Sequence, residues 1–426
     1  MLQNHLKIRG LWCSLIGNKI GNMTRNKSSR SLFDHPSDME PLLPEDGEGR
    51  LADTALLLIR KTERLRGRLH PITRKSVGQL VRSMNSFYSN LIEGHRTTPR
   101  DIDAALTKDF SADETQRALQ LQHVAHVETQ AEMETRLQTS PAAEVCSADF
   151  LCWLHERFYQ RLPESLRRVS GPKGQWYDVL PGRLREVEVS IGRHLAPASE
   201  ALAGFLKRFA EFYGPRVTPS PTGLVAAAAA HHRLAWIHPF LDGNGRVARL
   251  FTHAWFVKAA IDGEGLWTIS RGLARRQADY RAALAKADEK RRNDFDGRGY
   301  LSQRFLGEFC EFFLRTAVDQ AEFMGGLLDL DGLQARIIGY ADRKEAAKEL
   351  PRGAGAVLRE TFLRGEIARG EVPRIMGASA RTGQKLIGEL LRRRLLISDS
   401  PKGRLRLEFP AEAAGHYFPN LYPAGG

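Results

Sequence analysis

His238-Pro239-Phe240-Leu241-Asp242-Gly243-Asn244-Gly245-Arg246-Val247-Ala248-Arg249 is the stretch on which the reading of this chain turns. Before it, Gly223 to Ile237 is alanine-rich with no internal proline or glycine, which predicts a helix. After it, Val247 to Ala260 is apolar at helical spacing and predicts a second helix. The quoted residues therefore form a loop that runs into a helix N-terminus, where unpaired backbone N–H groups favour an anion. Gly243 and Gly245 let the backbone curl toward a phosphate without a Cβ in the way. Asp242 is a hard oxygen donor of the kind Mg²⁺ takes beside phosphate oxygens. Arg246 and Arg249 lie on the opening turns of the helix, close enough to reach neighbouring parts of one polyphosphate. His238, with an ordinary pKa near neutrality, suits the removal of a proton from an attacking hydroxyl. Together these residues describe a nucleotide-phosphate cradle with a metal ligand and a general base. They imply transfer from a nucleotide to a hydroxyl. A polar surface turn, the alternative, needs neither the histidine nor both arginines at these offsets.

These residues resemble the signature of Fic-domain proteins, His-x-Phe-x-(Asp/Glu)-Gly-Asn-Gly-Arg-x-x-Arg, with every fixed position filled. The resemblance implies a mainly α fold: a Fic-type helical core with a short β-hairpin flap. It implies AMP transfer from ATP, with Mg²⁺, onto a Ser, Thr or Tyr hydroxyl of a protein target, the chain itself included. His238 would then be the base and Asp242 the metal ligand. Gly243, Asn244 and Gly245 would bind phosphates, Arg246 the α/β region and Arg249 the terminal phosphate. Tyr280 falls where such proteins often place an aromatic near the adenine, an ordinary core or surface aromatic being the alternative. Transfer of another nucleotide-derived group, or removal of AMP, remains open on the same cradle.

Upstream, a helix is expected over roughly Arg74 to Ile92, after an interruption at Pro71, and Gly94 is a natural stop for it. Glu93 near that helix C-terminus opposes the dipole, so it needs another reason to be there. Ser89-x-x-x-Glu93-Gly94 resembles the inhibitory motif (Ser/Thr)-x-x-x-Glu-(Gly/Asn) of Fic proteins. That resemblance implies that Glu93 pairs with Arg249 and takes the place of the ATP γ-phosphate. A solvated helix-end acid is the plainer alternative. Between the two motifs, Arg185 to Gly192 alternates apolar and polar residues, a strand pattern. A hairpin here has an unpaired edge that an extended target segment could join. Gly182-x-x-Arg185 followed by Val189-x-Ile191-Gly192 resembles the Fic flap, which assigns target contact to Arg185, Val187, Val189 and Ile191. The alternative is a hairpin with no recognition role.

The chain has 426 residues, 42% hydrophobic and 27% charged, an ordinary globular balance with room for two or three domains. No apolar run has the length of a membrane span. Cys13, Cys146, Cys152 and Cys310 are scattered without metal-like pairs, which points to a reducing, cytoplasmic setting. His231 and His232 are adjacent, hence on different helix faces, and with His238 do not form a ligand set.

The expected organisation is a flexible tail over 1–48, an N-terminal helical region over 49–135, the core over 136–345 and a compact unit over 350–426. One helix is expected over Ser270 to Asp288. The last unit reads as helix, helix-turn-helix and two short strands, the order of a winged helix-turn-helix domain. Arg381, Gln384 and Lys385 on its second helix, the run Arg392 to Arg394, and Lys402 and Arg404 in the wing suit phosphate contacts. The net charge of +13 agrees with a DNA partner, although bulk charge alone is weak ground. A protein-docking or homodimer-forming unit is the equal alternative, and a nucleotide-sensing, DNA-binding regulator the alternative of another class.

Overall fold

The computed structural model describes residues 33–171 and 174–423, together with the backbone of 18–20. The fold is mainly α. Strand β1 (Asn18–Ile20) precedes helices α1 (Arg50–Glu63) and α2 (Pro71–Ile92). Pro71 opens α2 rather than interrupting the pattern: its missing N–H falls in the first turn, where no intrahelical bond is made. His70 Nδ1 accepts from the Ile72 N–H there at 3.3 Å. Gly94, with φ +86°, ends the helix in the left-handed region that favours glycine. A reciprocal cap between Thr98 and Asp101 starts α3 (Pro99–Leu106), and Asp113 and Ser147 cap α4 (Glu114–Thr139) and α5 (Ala148–Gln160).

Four short strands follow. β2 (Arg168–Ser170) pairs with β3 (Trp176–Asp178), a hairpin whose strands are too short for an alternating pattern to announce. The expected 185–192 strand is shorter than its alternation suggested: only β4 (Val189–Ile191) is extended, paired with β5 (His194–Leu195). The far edge of β4 is not free. β1 lies antiparallel along it, with Lys19 opposite Ser190.

The core is built on α6 (Leu202–Tyr213), α7 (Pro221–Ile237) and α8 (Asn244–Lys258). α7 is alanine-rich and buried along almost its whole length, His231, His232 and Arg233 included; its alanines let neighbouring helices approach closely. The expected single helix over 270–288 is two, α9 (Ser270–Arg275) and α10 (Gln277–Ala287), broken where Arg276 leaves helical geometry at φ −117° and ψ 38°. α11 (Gln303–Leu327) packs against α1 and α7, and α12 (Leu330–Ala346) leads out of the body. The last unit holds α13 (Ala354–Arg364), β6 (Glu366–Ile367), α14 (Val372–Ile375), α15 (Ala380–Arg392), β7 (Leu396–Ile397), β8 (Leu405–Leu407) and α16 (Ala411–Tyr417), with the sheet in order β6-β8-β7.

One expectation is overturned at the start of the chain. Residues 33–48 are not a loose tail; the rest of the 1–48 segment, apart from β1, lies outside the described residues, as does Cys13. Met39 and Leu42 are buried in the core, Arg233 of α7 donates to the Pro41 carbonyl at 2.7 Å, and Arg208 of α6 pairs with Glu40. Two apolar anchors among Ser, Pro and Asp suffice to dock the segment, and composition averaged over a window hides them. Among the described residues, no helix is long and apolar enough to cross a membrane.

Candidate active site

The loop between α7 and α8 starts with strain. His238 caps α7 with φ +50°, a left-handed conformation uncommon for a residue with a Cβ. That turn is held from outside. Arg185, buried, donates from Nε to the His238 carbonyl at 2.9 Å, from Nη1 to Val187 O and from Nη2 to Pro197 O, while its own N–H reaches Pro239 O. Arg185 therefore fastens the flap base to the loop. It does not face outward for a target, which corrects the sequence expectation for this residue. Val189 is buried as well, and only Val187 and Ile191 of the expected target-contact residues remain half-exposed. Burial, with His194 and Arg185 nearby, pushes the His238 imidazole down to about 3, so it is neutral at neutral pH. Nδ1 faces Ala235 O at 3.4 Å and Nε2 has no partner, which leaves a lone pair available at Nε2.

The next residues form a buried, matched set of charges. Asp242 Oδ2 accepts from the Tyr159 hydroxyl at 2.5 Å and from Arg246 Nη2 at 3.2 Å. Burial alone would raise the Asp242 carboxyl, but Arg246 and these hydrogen bonds hold it below its usual range. Arg246 also donates to Gln122 at 2.7 Å and to the Tyr159 hydroxyl at 3.1 Å. Gly243, at φ +80°, passes so close to Tyr159 that a Cβ would collide with the ring. The Asn244 side chain does not point to a ligand: it accepts from Phe240 N at 2.9 Å and donates to Phe240 O at 2.7 Å, so it ties the loop and leaves only its backbone for phosphate.

His155 of α5 stacks on Phe240 at 4.1 Å, takes the Gly182 N–H on Nδ1 and meets Asp242 O with Nε2, which joins the loop to the flap base. Burial holds the His155 imidazole down to about 3. Tyr159, Gln122 and His155 escaped sequence reading because each sits on a helix far from the motif, Tyr159 and His155 on α5 and Gln122 on α4.

Arg249 is nearly fully buried. Its Nε donates to Ser89 Oγ and its Nη2 to Ser89 O, each at 2.9 Å, and Nη2 also reaches Glu93 Oε1 at 2.5 Å. The Glu93 carboxylate hangs over the start of α8, where a Cβ on Gly245 would strike it. Burial would raise the Glu93 carboxyl, but the guanidinium groups of Arg249 and Arg246 keep it below its ordinary value. Gln277 and Arg281 of α10 cap the last turn of α2 by donating to Ile92 O at 2.7 and 2.8 Å. His95, half-buried beside Arg246, Glu93 and Asp242, is pushed down to about 4, chiefly by loss of solvent around its ring, and belongs to the same cluster, although sequence reading passed over it. Tyr280 is in the site but not as an open stacking face. It is 4% exposed, meets His231 Nε2 at 2.7 Å through its hydroxyl, and stands behind Arg249.

The last unit looks different. Arg381, Gln384, Lys385 and Lys402 are exposed, whereas Arg404 pairs with Glu366 at 2.5 Å. The run Arg392 to Arg394 is not free for phosphates either: Arg392 and Arg393 pair with Glu389, and Arg394 with Asp103 and Glu408.

Residues 145–256 match the Fic/DOC family. The chain is 36% identical over 78 residues to the protein adenylyltransferase Fic of Drosophila willistoni, a match covering 18% of this chain and 16% of that protein. It is 34% identical over 88 residues to the protein of the same name from Nematostella vectensis, covering 21% of each. A solved Fic family protein from Desulfovibrio desulfuricans superposes with a TM-score of 0.48 at 17% identity, covering 86% of this chain and 98% of that one. By these matches the chain is similar to Fic/DOC proteins over residues 145–256, the segment that holds the His238–Arg249 loop. It spans about a fifth or less of the length of the curated relatives it matches.

Proposed function

We propose that this chain transfers AMP from ATP to a hydroxyl of a protein, and that α2 holds the activity down. The observation that carries this reading is the Glu93 carboxylate bound to Arg249 above the N-terminus of α8, a place where backbone and guanidinium donors would otherwise receive phosphate oxygens. Here His238 Nε2 takes the proton of the target hydroxyl as its oxygen attacks the α-phosphorus; the bond to the β-phosphate oxygen breaks and pyrophosphate leaves. The Nδ1 contact with Ala235 O orients the imidazole for that role. Backbone N–H groups of the loop, with Arg246, stabilise the negative charge that grows on the phosphoryl oxygens.

Among the described residues no group of three or more His, Cys, Asp or Glu assembles, so a closed protein metal site is not what the donor set offers. A single carboxylate, Asp242, fits Mg²⁺ carried in by the triphosphate, since that ion takes one or two carboxylates and completes its shell with phosphate oxygens and water. When bound, the ion would supply charge neutralisation for the departing phosphates. Tyr159 and Arg246 orient Asp242 for this.

The test uses ATP radiolabelled at the α-phosphate, with Mg²⁺ and cell lysate as a source of targets. Label on protein should rise at least about tenfold in Glu93→Gly over the parent chain, as removal of a competing carboxylate shifts the site toward its competent state. It should vanish in Glu93→Gly/His238→Ala. Equal labelling with and without Glu93 would overturn the inhibitory role, and no labelling in any variant would overturn AMP transfer.

A further inference from the structure

The helix that carries Glu93 is held by the far end of the chain. At its start, Thr73 Oγ1 of α2 donates to Phe362 O of α13 at 3.3 Å. Beside it, Asp103 of α3 accepts from Arg394 Nη1 at 2.7 Å and from Ala411 N at 3.3 Å. A buried contact lies near the end of α2. Tyr88 is fully buried and donates to Leu421 O at 2.8 Å. The ring of Tyr422 packs edge-on to Phe87 at 5.2 Å and stacks with Tyr88 at 6.4 Å. From the other side, Arg271 of α9 donates to Asn420 O at 2.8 Å.

The residue after Tyr88 is Ser89, whose hydroxyl and carbonyl receive Arg249, and Glu93 follows one turn later. The turn gripped by residues 420–422 is thus the turn that grips Arg249. A buried aromatic contact fixes a helix in both rotation and translation, and a small shift there moves Ser89 and Glu93 together.

We infer that Asn420–Tyr422 is a latch that sets whether Glu93 engages Arg249, so that whatever lifts the C-terminal unit from α2 and α3 switches the enzyme on. This rests on the AMP-transfer reading above. With the latch seated, α2 lies in one arrangement and the clamp is closed. With it lifted, the end of α2 loses its outer support, Arg249 is released from Ser89 and Glu93, and the terminal phosphate of ATP takes their place. Two states and a differential contact are all that such a switch needs.

The test is epistasis between latch and clamp in the full chain. Tyr422→Ala and the milder Tyr88→Phe are each made with Glu93 present and in Glu93→Gly, and folding is checked by thermal unfolding. With Glu93 present, Tyr422→Ala should raise AMP transfer about three- to tenfold, the span by which one lost aromatic contact shifts a two-state balance. Tyr88→Phe should raise it less, and in Glu93→Gly neither should add anything. An equal rise in both backgrounds, or no rise with Glu93 present, overturns the latch. If Glu93→Gly itself transfers no AMP, the AMP-transfer reading fails while the latch is still read by amide hydrogen exchange over residues 86–93. Faster exchange there in Tyr422→Ala than in the parent, with the rest of α2 unchanged, supports it, and unchanged protection overturns it.

Discussion

The α7–α8 loop and the C-terminal unit are both rich in arginine, yet they use it in opposite ways. At the loop, Arg246 and Arg249 are nearly fully buried, and each is met by partners brought from elsewhere in the chain: Tyr159 and Gln122 for one, Ser89 and Glu93 for the other. In the C-terminal unit, Arg392 and Arg393 reach Glu389 close by in sequence, Arg404 reaches Glu366 and Arg406 reaches Asp399, and the exceptions are Arg394, which reaches Asp103 of α3, and Arg393, which also meets Glu349. A buried charge met by distant elements is a position that the fold has been arranged to hold. A surface charge met by its neighbour contributes little to stability and leaves little field over for a ligand. The presence of arginine in a sequence therefore says less about a site than the origin of its partner.

The largest expected effect breaks the loop at His238 Nε2, a buried atom without a hydrogen-bond partner. In the Glu93→Gly background, His238→Ala should lower AMP transfer about 10²- to 10⁴-fold, the usual worth of a positioned general base, with little change in ATP binding measured by calorimetry. Retained transfer would place the base elsewhere.

A second expectation separates the interior around the loop from the surface by acid. His123, His155, His231 and His238 are held down to about 3 and His95 to about 4, chiefly by burial. These groups are neutral when folded but bind protons below about 6.5 when unfolded. The unfolded chain then takes up more protons, so stability falls as the pH drops from 6.5 toward those lower values. Between pH 6.5 and 5.5 each histidine should cost about 1 kcal/mol. Thermal midpoints across that range should fall steeply, and a flat profile would show that these rings are protonated in the folded state.

Much of this site was legible because its chemistry is contiguous. Histidine, carboxylate, glycines and arginines fall within one loop, and the alanine-rich helix ahead of it is visible by composition. The Ser89–Glu93 segment was legible for a related reason, since an acid at a helix C-terminus asks for a partner. What could not be read is the support. Tyr159 and His155 look like ordinary members of an amphipathic helix, and nothing marks Gln122 as the acceptor for Arg246. Arg185 carries an alternating pattern that reads as a strand, while its side chain gathers three backbone carbonyls. The break at Arg276 has no proline or glycine to announce it; tertiary packing set it. Residues 33–48 have the polar, proline-bearing make-up of a linker and are nonetheless seated by Met39 and Leu42.

A third measurement sharpens the contrast by stability alone. Arg249→Ala removes the partner of a carboxylate that keeps only 24% of its side-chain surface in solvent. Leaving that carboxylate uncompensated should destabilise the fold by about 3 kcal/mol in denaturant unfolding. Arg392→Ala, which removes an equal charge from the C-terminal surface, should leave the unfolding midpoint where it was. Similar losses in the two variants would erase the distinction between the regions.

The smallest effect concerns the C-terminal unit offered duplex DNA. Of the basic residues on and just after α15 and on the turn between β7 and β8, Arg381, Lys385 and Lys402 are exposed and have no acidic partner within 4 Å among the described residues, whereas the run Arg392 to Arg394 and Arg404 are paired. Each phosphate neutralised by a cation contributes about −0.9 to the slope of log affinity against log salt. Three free cations thus set a slope near −3, and Arg381→Ala/Lys385→Ala should bring it to about −1. A measured slope of about −4.5 or steeper would mean that DNA draws Arg394 and Arg404 away from Asp103, Glu408 and Glu366. Since Asp103 sits on α3 beside α2, that result would also connect duplex binding to the helix that carries Glu93. A shallow slope that the double substitution nearly abolishes would instead confine the contact to the exposed face of α15, with the paired arginines left to hold the unit together.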